Sequence, residues 1–201
     1  MDEEHNYSFM LQQAINFSKE LNVPNLEWDN SLAEYHDISE INKLVNGELF
    51  DVIDQMFSTH PYIGNMCLPL SSVVYMFMKA KGYNVEMVFG NVNINNSSEF
   101  DTTNESLKRE YLNRSKTGEL DVHAWVGLGD NIIIDFGLPE RLQKNYNYPR
   151  NLLYCVGTAK FFENSLKVAY QPMLIGTDFF KQTHSYDPLD DIFGFKKAFA
   201  N

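Results

Sequence analysis

Cys67 stands where a nucleophile would be placed. The turn-forming stretch Thr59-His60-Pro61-Tyr62-Ile63-Gly64-Asn65-Met66 delivers the chain to it, and an almost unbroken apolar run to Gly82 follows. That run reads as a buried helix with Cys67 at its start and Gly82 as its stop. A helix N-terminus carries about half a positive charge, which favours a thiolate, the form of cysteine that attacks carbonyl carbon. The competing reading is a small core residue, the usual fate of a free cysteine.

Two further residues complete a nucleophilic set. His123 lies in the alternating stretch Val122-His123-Ala124-Trp125-Val126, where the small and branched residues face the core and His123 and Trp125 share the other face. Asp135 interrupts the apolar run Ile132-Ile133-Ile134, where an unpaired charge would be costly. A hairpin with Leu128-Gly129-Asp130 as its loop makes opposed positions sum to 258, which sets His123 directly across from Asp135 (123 + 135). A loop shifted by one residue keeps the pair diagonal on one face, whereas a two-residue Gly129-Asp130 turn separates them. In the first two registers His123 takes the proton of Cys67 and Asp135 orients the imidazole. The Cys67 N–H can donate to an oxyanion. Asn65 is a candidate second donor, or simply a turn residue. Trp125 beside His123 either shields the imidazole at the rim of the site or packs.

Other groups offer less. A Cys67, His123, Asp135 zinc site lacks the closely spaced ligand pairs that zinc sites show, and no cofactor or metal is required by the chemistry. Cys155 belongs to a core strand, Leu152–Val156. His60 borders the nucleophile or the loop surface, and His5, His36 and His184 have no arguable partner.

The elements that must position these residues read as α+β, in one domain over 1–201. A helical part, 1–58, contains helices over 7–21 and from Ser39, as N-cap, to Phe57, with Gly47 as a possible break. A core, 60–137, carries the Cys67 helix, a strand over 83–92 and the His123–Asp135 hairpin. The polar segment 91–121 is an excursion with a helix over 105–114, suited to a lid or loop. Strands follow at 152–156 and 165–170. Residues 176–201 form an irregular aromatic tail (Phe179, Phe180, Tyr186, Phe193, Phe195, Phe199) that covers the core or meets a partner.

The formal charge of −11 disfavours nucleic acid and anionic membranes as partners. No run reaches the roughly 20 apolar residues of a membrane span, and the acidic N-terminus is unlike a secretory signal. With Cys67 and Cys155 as the whole cysteine complement, a disulfide scaffold is not expected and a reducing, cytoplasmic setting is.

Cys67 opening an apolar helix, Met78-Lys79-Ala80-Lys81-Gly82-Tyr83 leading to a valine-rich strand ending at Phe89-Gly90, His123-Ala124-Trp125-Val126, and Ile134-Asp135 together resemble the transglutaminase-like core of the papain-like cysteine protease superfamily. The resemblance spans about residues 60–137. It implies a central helix starting at the nucleophile, packed on an antiparallel sheet, with Cys67, His123 and Asp135 as nucleophile, base and orienting acid. Where such families often place Gly or Trp around the cysteine, this chain has Asn65-Met66-Cys67-Leu68-Pro69. Phe136-Gly137 stands where Pro commonly follows the aspartate. The function this implies is a peptidase, amidase or deamidase acting on a protein, peptide or small amide through an acyl-thioester. Transglutaminase-type acyl transfer, or a non-catalytic binding module on the same fold, are the alternatives.

Overall fold

The computed structural model describes residues 6–29, 32–114 and 121–184. Helix α1 (Tyr7–Glu20) starts where the Asn6 side chain accepts the Ser8 N–H, and it buries Leu11, Ala14, Ile15 and Ser18, the three- and four-residue spacing of one helical face. The expected long helix to Phe57 is in fact α2 (Ile38–Leu44), a wide turn at Val45–Leu49 and α3 (Phe50–Phe57). Gly47, at φ −102 and ψ −105, breaks it. Its N-cap is Asp37, whose carboxylate accepts the Glu40 N–H at 3.2 Å, and not Ser39. Ser39 instead donates its hydroxyl to the same Asp37 oxygen, at 3.0 Å.

Helix α4 (Cys67–Ala80) is buried without a break from Leu70 to Met78. A helix with apolar residues all round belongs at the centre of a domain. Its two serines are provided for: Ser71 donates to the Ala124 carbonyl at 2.8 Å and Ser72 to Leu68 at 3.0 Å. The first of these pins α4 to the strand bearing His123.

The sheet consists of β1 (Val85–Ile94), β2 (Ser97–Ser98), β3 (His123–Leu128), β4 (Ile132–Asp135), β5 (Cys155–Thr158) and β6 (Val168–Ile175). Every neighbouring pair is antiparallel: β6 lies along one edge of β1, β3 along the other, then β4 and β5. The expected 152–156 strand begins only at Cys155 and runs on to Thr158, and the expected 165–170 strand begins only at Val168 and runs on to Ile175. Between the strands lie α5 (Asn104–Asn113), α6 (Leu138–Tyr146) and the short α7 (Ala159–Phe161), and β6 is followed by α8 (Asp178–His184). The last of these corrects the reading of 176 onward as irregular: Phe179 and Phe180 are buried on a helix. Tyr186, Phe193, Phe195 and Phe199 lie outside the described residues, as do 115–120 of the polar segment.

Both faces of the sheet are covered, so β3 is buried at every residue. Val122, Ala124 and Val126 pack in the cluster that contains α4, and Trp125 in the cluster that contains α1. The architecture is α+β with an antiparallel sheet. Among the described residues no helix is long and apolar enough to cross a membrane.

Two close approaches set the frame of the site. At Gly90 a register shift brings β6 so near that a Cβ would lie 2.0 Å from the Gln171 carbonyl oxygen. At Gly137, past the end of β4, a Cβ would lie 2.9 Å from Cys67 Cα and 3.0 Å from Cys67 Cβ. Gly137 has ordinary helical dihedrals (φ −85, ψ −36), so only this contact demands glycine. Gly137→Ala is expected to cost about 1–3 kcal/mol by overpacking. A urea midpoint identical to that of the unsubstituted protein would show that α4 yields freely there.

Candidate active site

Cys67 is the first residue of α4, behind Met66 at the N-cap, and no side chain caps the helix. Its N–H has no acceptor within the helix, as for any first-turn residue. Cys67 is 8% exposed, and its thiol donates to the Val122 carbonyl at 3.7 Å, one residue before His123.

The hairpin turns at Gly129-Asp130-Asn131, with Val126 paired to Ile134 and Leu128 to Ile132. Opposed positions thus sum to 260 (126 + 134), and not to the 258 that a Leu128-Gly129-Asp130 loop sets. His123 and Asp135 are diagonal on one face, and a diagonal is within reach of a ring and a carboxylate. His123 Nε2 and Asp135 Oδ2 are 2.7 Å apart, with both side chains almost wholly buried. The other ring nitrogen, Nδ1, is buried and has no hydrogen-bond partner of ordinary geometry among the described residues. With Nε2 committed to Asp135, Nδ1 is the nitrogen left for Cys67, which adds to the forces that favour the protonated ring.

Asp135 has further donors. Oδ2 also accepts the Tyr170 hydroxyl at 2.9 Å, while Oδ1 accepts the N–H groups of Gly137 at 2.8 Å and Leu138 at 3.1 Å. Burial alone would raise this carboxyl, but the imidazole, Leu138 and Tyr170 hold it below the usual carboxylate range. Burial likewise works against protonated His123. The charge and hydrogen bond of Asp135, with Cys67 adding to them, outweigh that and push the imidazole up to about 10. Cys155, paired with Asp135 across β4 and β5, behaves oppositely: burial and the nearby carboxylate push its thiol far up. It stays protonated and inert, while Cys67 sits beside a cation.

Trp125 and Asn65 fall elsewhere than expected. Trp125 is fully buried, stacked 5.9 Å from His123 with its indole N–H on the Tyr7 hydroxyl at 3.1 Å. It is an inner wall and offers no surface to a substrate, because α1 covers that face of β3. Asn65 is exposed, two residues before Cys67, and its Oδ1 accepts from Arg141 Nη2 at 3.0 Å. Phe100 lies on the His123 ring at 5.0 Å and 20°, the place expected of Trp125. His60 is exposed beside Phe57 and lines an apolar cavity of about 280 Å³ with Ile63, Phe136 and Pro139. Among the described residues no group of three His, Cys, Asp or Glu is placed to hold a metal.

Tyr170, Phe100, Arg141 and Gly137 were not found from the sequence. Phe100 alone left a trace, as one of two aromatic residues, with Tyr111, in the polar segment 91–121.

The raised imidazole gives a signed pH prediction. A group whose folded value lies above its ordinary 6.5 contributes most below pH 6.5, and that contribution is lost as pH rises through about 10. An NMR titration of the His123 ring should therefore show it protonated through neutrality. In Asp135→Asn the midpoint should fall toward or below 6.5, and an unmoved midpoint would remove the carboxylate from the pairing. Tyr170→Phe should lower stability by about 1.5–3 kcal/mol, the worth of a hydrogen bond to a buried charge. Chemical denaturation at neutral pH measures it.

Comparison with family models, curated proteins and solved structures finds no match to this chain, so its chemistry has to be argued from the arrangement of Cys67, His123 and Asp135.

Proposed function

We propose that this chain is a cysteine-nucleophile hydrolase, a peptidase, amidase or deamidase, built on a papain- or transglutaminase-like core. The observation that carries the reading is the 2.7 Å His123–Asp135 hydrogen bond, set beside a cysteine at the first position of a central helix.

The chemistry follows from the order of groups. The Cys67 sulfur, as the thiolate partner of the His123 cation, attacks the carbonyl carbon of an amide or ester. The carbonyl π electrons move to oxygen, which the Cys67 N–H can stabilise. Collapse breaks the bond to the leaving amine or alcohol, which takes its proton from His123. Water then gives a proton to His123 and attacks the thioester; the C–S bond breaks, releasing the acid and restoring the thiolate beside the His123 cation. Asp135 keeps the imidazole oriented and stabilises its cationic form throughout. An amine in place of that water would make the same intermediate a transferase. Substrates are proteins, peptides or small amides, and a reducing compartment such as the cytoplasm suits the free thiol.

Incubation with iodoacetamide followed by peptide mass mapping should find alkylation at Cys67 and none at Cys155. Activated esters such as p-nitrophenyl acetate should acylate Cys67, and the acyl group should leave to water in a His123-dependent step. Cys67→Ala should abolish turnover with the fold intact by circular dichroism. Hydrolysis surviving in purified Cys67→Ala protein would sink the mechanism.

A further inference from the structure

The imidazole of His123 is enclosed by more than its partners in the triad. Phe100 lies against one face of the ring, and the guanidinium of Arg141 lies over Phe100, its carbon 4.6 Å from the ring centroid. The guanidinium does not float there. Nη1 donates to Glu99 Oε1 at 2.7 Å and Nη2 to Asn65 Oδ1 at 3.0 Å, and Tyr146 donates its hydroxyl to the other Glu99 oxygen. The Arg141 and Glu99 side chains are only 20% and 11% exposed, so this pair is largely sheltered from the screening that weakens surface ion pairs.

Phe100 is fixed from below as well. Its N–H donates to Asn91 Oδ1 at 3.0 Å and its carbonyl accepts the Ser98 hydroxyl at 2.8 Å, while Asn91 Nδ2 holds that same hydroxyl oxygen at 2.7 Å. Arg141 belongs to α6, one turn beyond Leu138, and the start of α6 is set by Asp135 through the Gly137 and Leu138 N–H groups. The contacts therefore close a ring: Asp135 registers α6, α6 carries Arg141, Arg141 presses on Phe100, Phe100 lies on His123, and His123 bonds Asp135.

The geometry points to Arg141 as a positioning residue for the proposed reaction, clamping Phe100 over His123 and tying that roof through Asn65 to the loop that presents Cys67. The inference rests on the hydrolase reading for its meaning, though not for its test. A hydrogen bond between a buried imidazole and a carboxylate is strong because water is kept from it. Guanidinium is suited to the task because it is planar, lies flat on an aromatic face and donates from a rigid fork, which the compact ammonium of lysine lacks. The ionisable groups around the imidazole are Asp135 from β4, Cys67 from α4 and Tyr170 from β6, with Cys155 of β5 behind the last. Arg141 and Glu99 lie beyond Phe100 and act on the ring through it.

The test is a ring-resolved NMR titration of His123 in the full chain, with Arg141→Ala, Arg141→Lys and Phe100→Leu variants. Arg141→Ala should lower the His123 midpoint by about one pH unit, because the pairing with Asp135 that water weakens outweighs the burial that water relieves. Millimolar guanidinium chloride, too dilute to denature, should restore it. Arg141→Lys should remain close to Arg141→Ala. Phe100→Leu keeps the apolar volume and so guards against an Arg141→Ala protein that fails to fold; it should shift the midpoint the same way. On a responsive ester, kcat should fall about ten- to a hundredfold with KM little changed, as expected of a misplaced catalytic group. A His123 midpoint unmoved in folded Arg141→Ala and in Phe100→Leu overturns the proposal. This readout needs no turnover, so it separates from failure of the hydrolase reading, which would appear as an unsubstituted protein whose Cys67 neither alkylates nor acylates.

Discussion

A carboxylate removed from water must find a full set of donors or give up its charge, and Asp135 finds them in His123, Tyr170 and the backbone of Gly137 and Leu138. Those donors come from β3, β6 and the start of α6, so three separate parts of the chain must be correctly placed before the carboxylate is satisfied. The converse also holds. Once ionised Asp135 is buried at the end of β4, alternatives that leave any of these groups out carry the cost of an unpaired buried charge. The hairpin register, the reach of β6 and the direction of α6 are thereby fixed against one another by a single side chain.

The nucleophile is fitted to this arrangement by a contact of another kind. Cys67 touches the Asp135 segment through backbone: Gly137 gives up its side chain so that the first residue of α4 can lie against it. Ser71, one turn on, is bonded to Ala124 next to His123. Helix and hairpin are thus joined once by close packing and once by a hydrogen bond, on either side of the sulfur. What brings Cys67 near the ring is the seating of a whole rigid helix, which costs less conformational entropy than ordering a flexible loop would.

Much of this was legible in the sequence because it rests on local pattern. An unbroken apolar run announced α4, and a charge at the end of Ile132-Ile133-Ile134 announced Asp135. Alternation put His123 and Trp125 on one face. The hairpin loop was misplaced by one residue, since Leu128-Gly129-Asp130 and Gly129-Asp130-Asn131 are both rich in turn formers; the chosen loop has Gly129 at φ +61. The same-face relation survived because only a two-residue turn would have broken it. What could not be read depends on pairings remote in sequence. Tyr170 reaches Asp135 only because β6 lies on β1 with a register shift at Phe89/Gly90, and no local rule sets that offset. Phe100 and Asn65, on two separate loops, meet Arg141 of α6. Trp125 looked like a rim residue because alternation assigns a face and does not say whether another layer, here α1, lies over it.

Asp135 serves two masters. One oxygen holds His123, while the other accepts the first two N–H groups at the head of α6. Selection for folding alone would therefore keep this aspartate long after chemistry had been lost. Among descendants of such a chain, a retained aspartate would say little about activity. Cys67, whose thiol is bonded only weakly to a carbonyl, is free to drift to serine or alanine once turnover ceases to matter. A lineage turning into a binding protein would thus show it first at the sulfur, with the acid still in place.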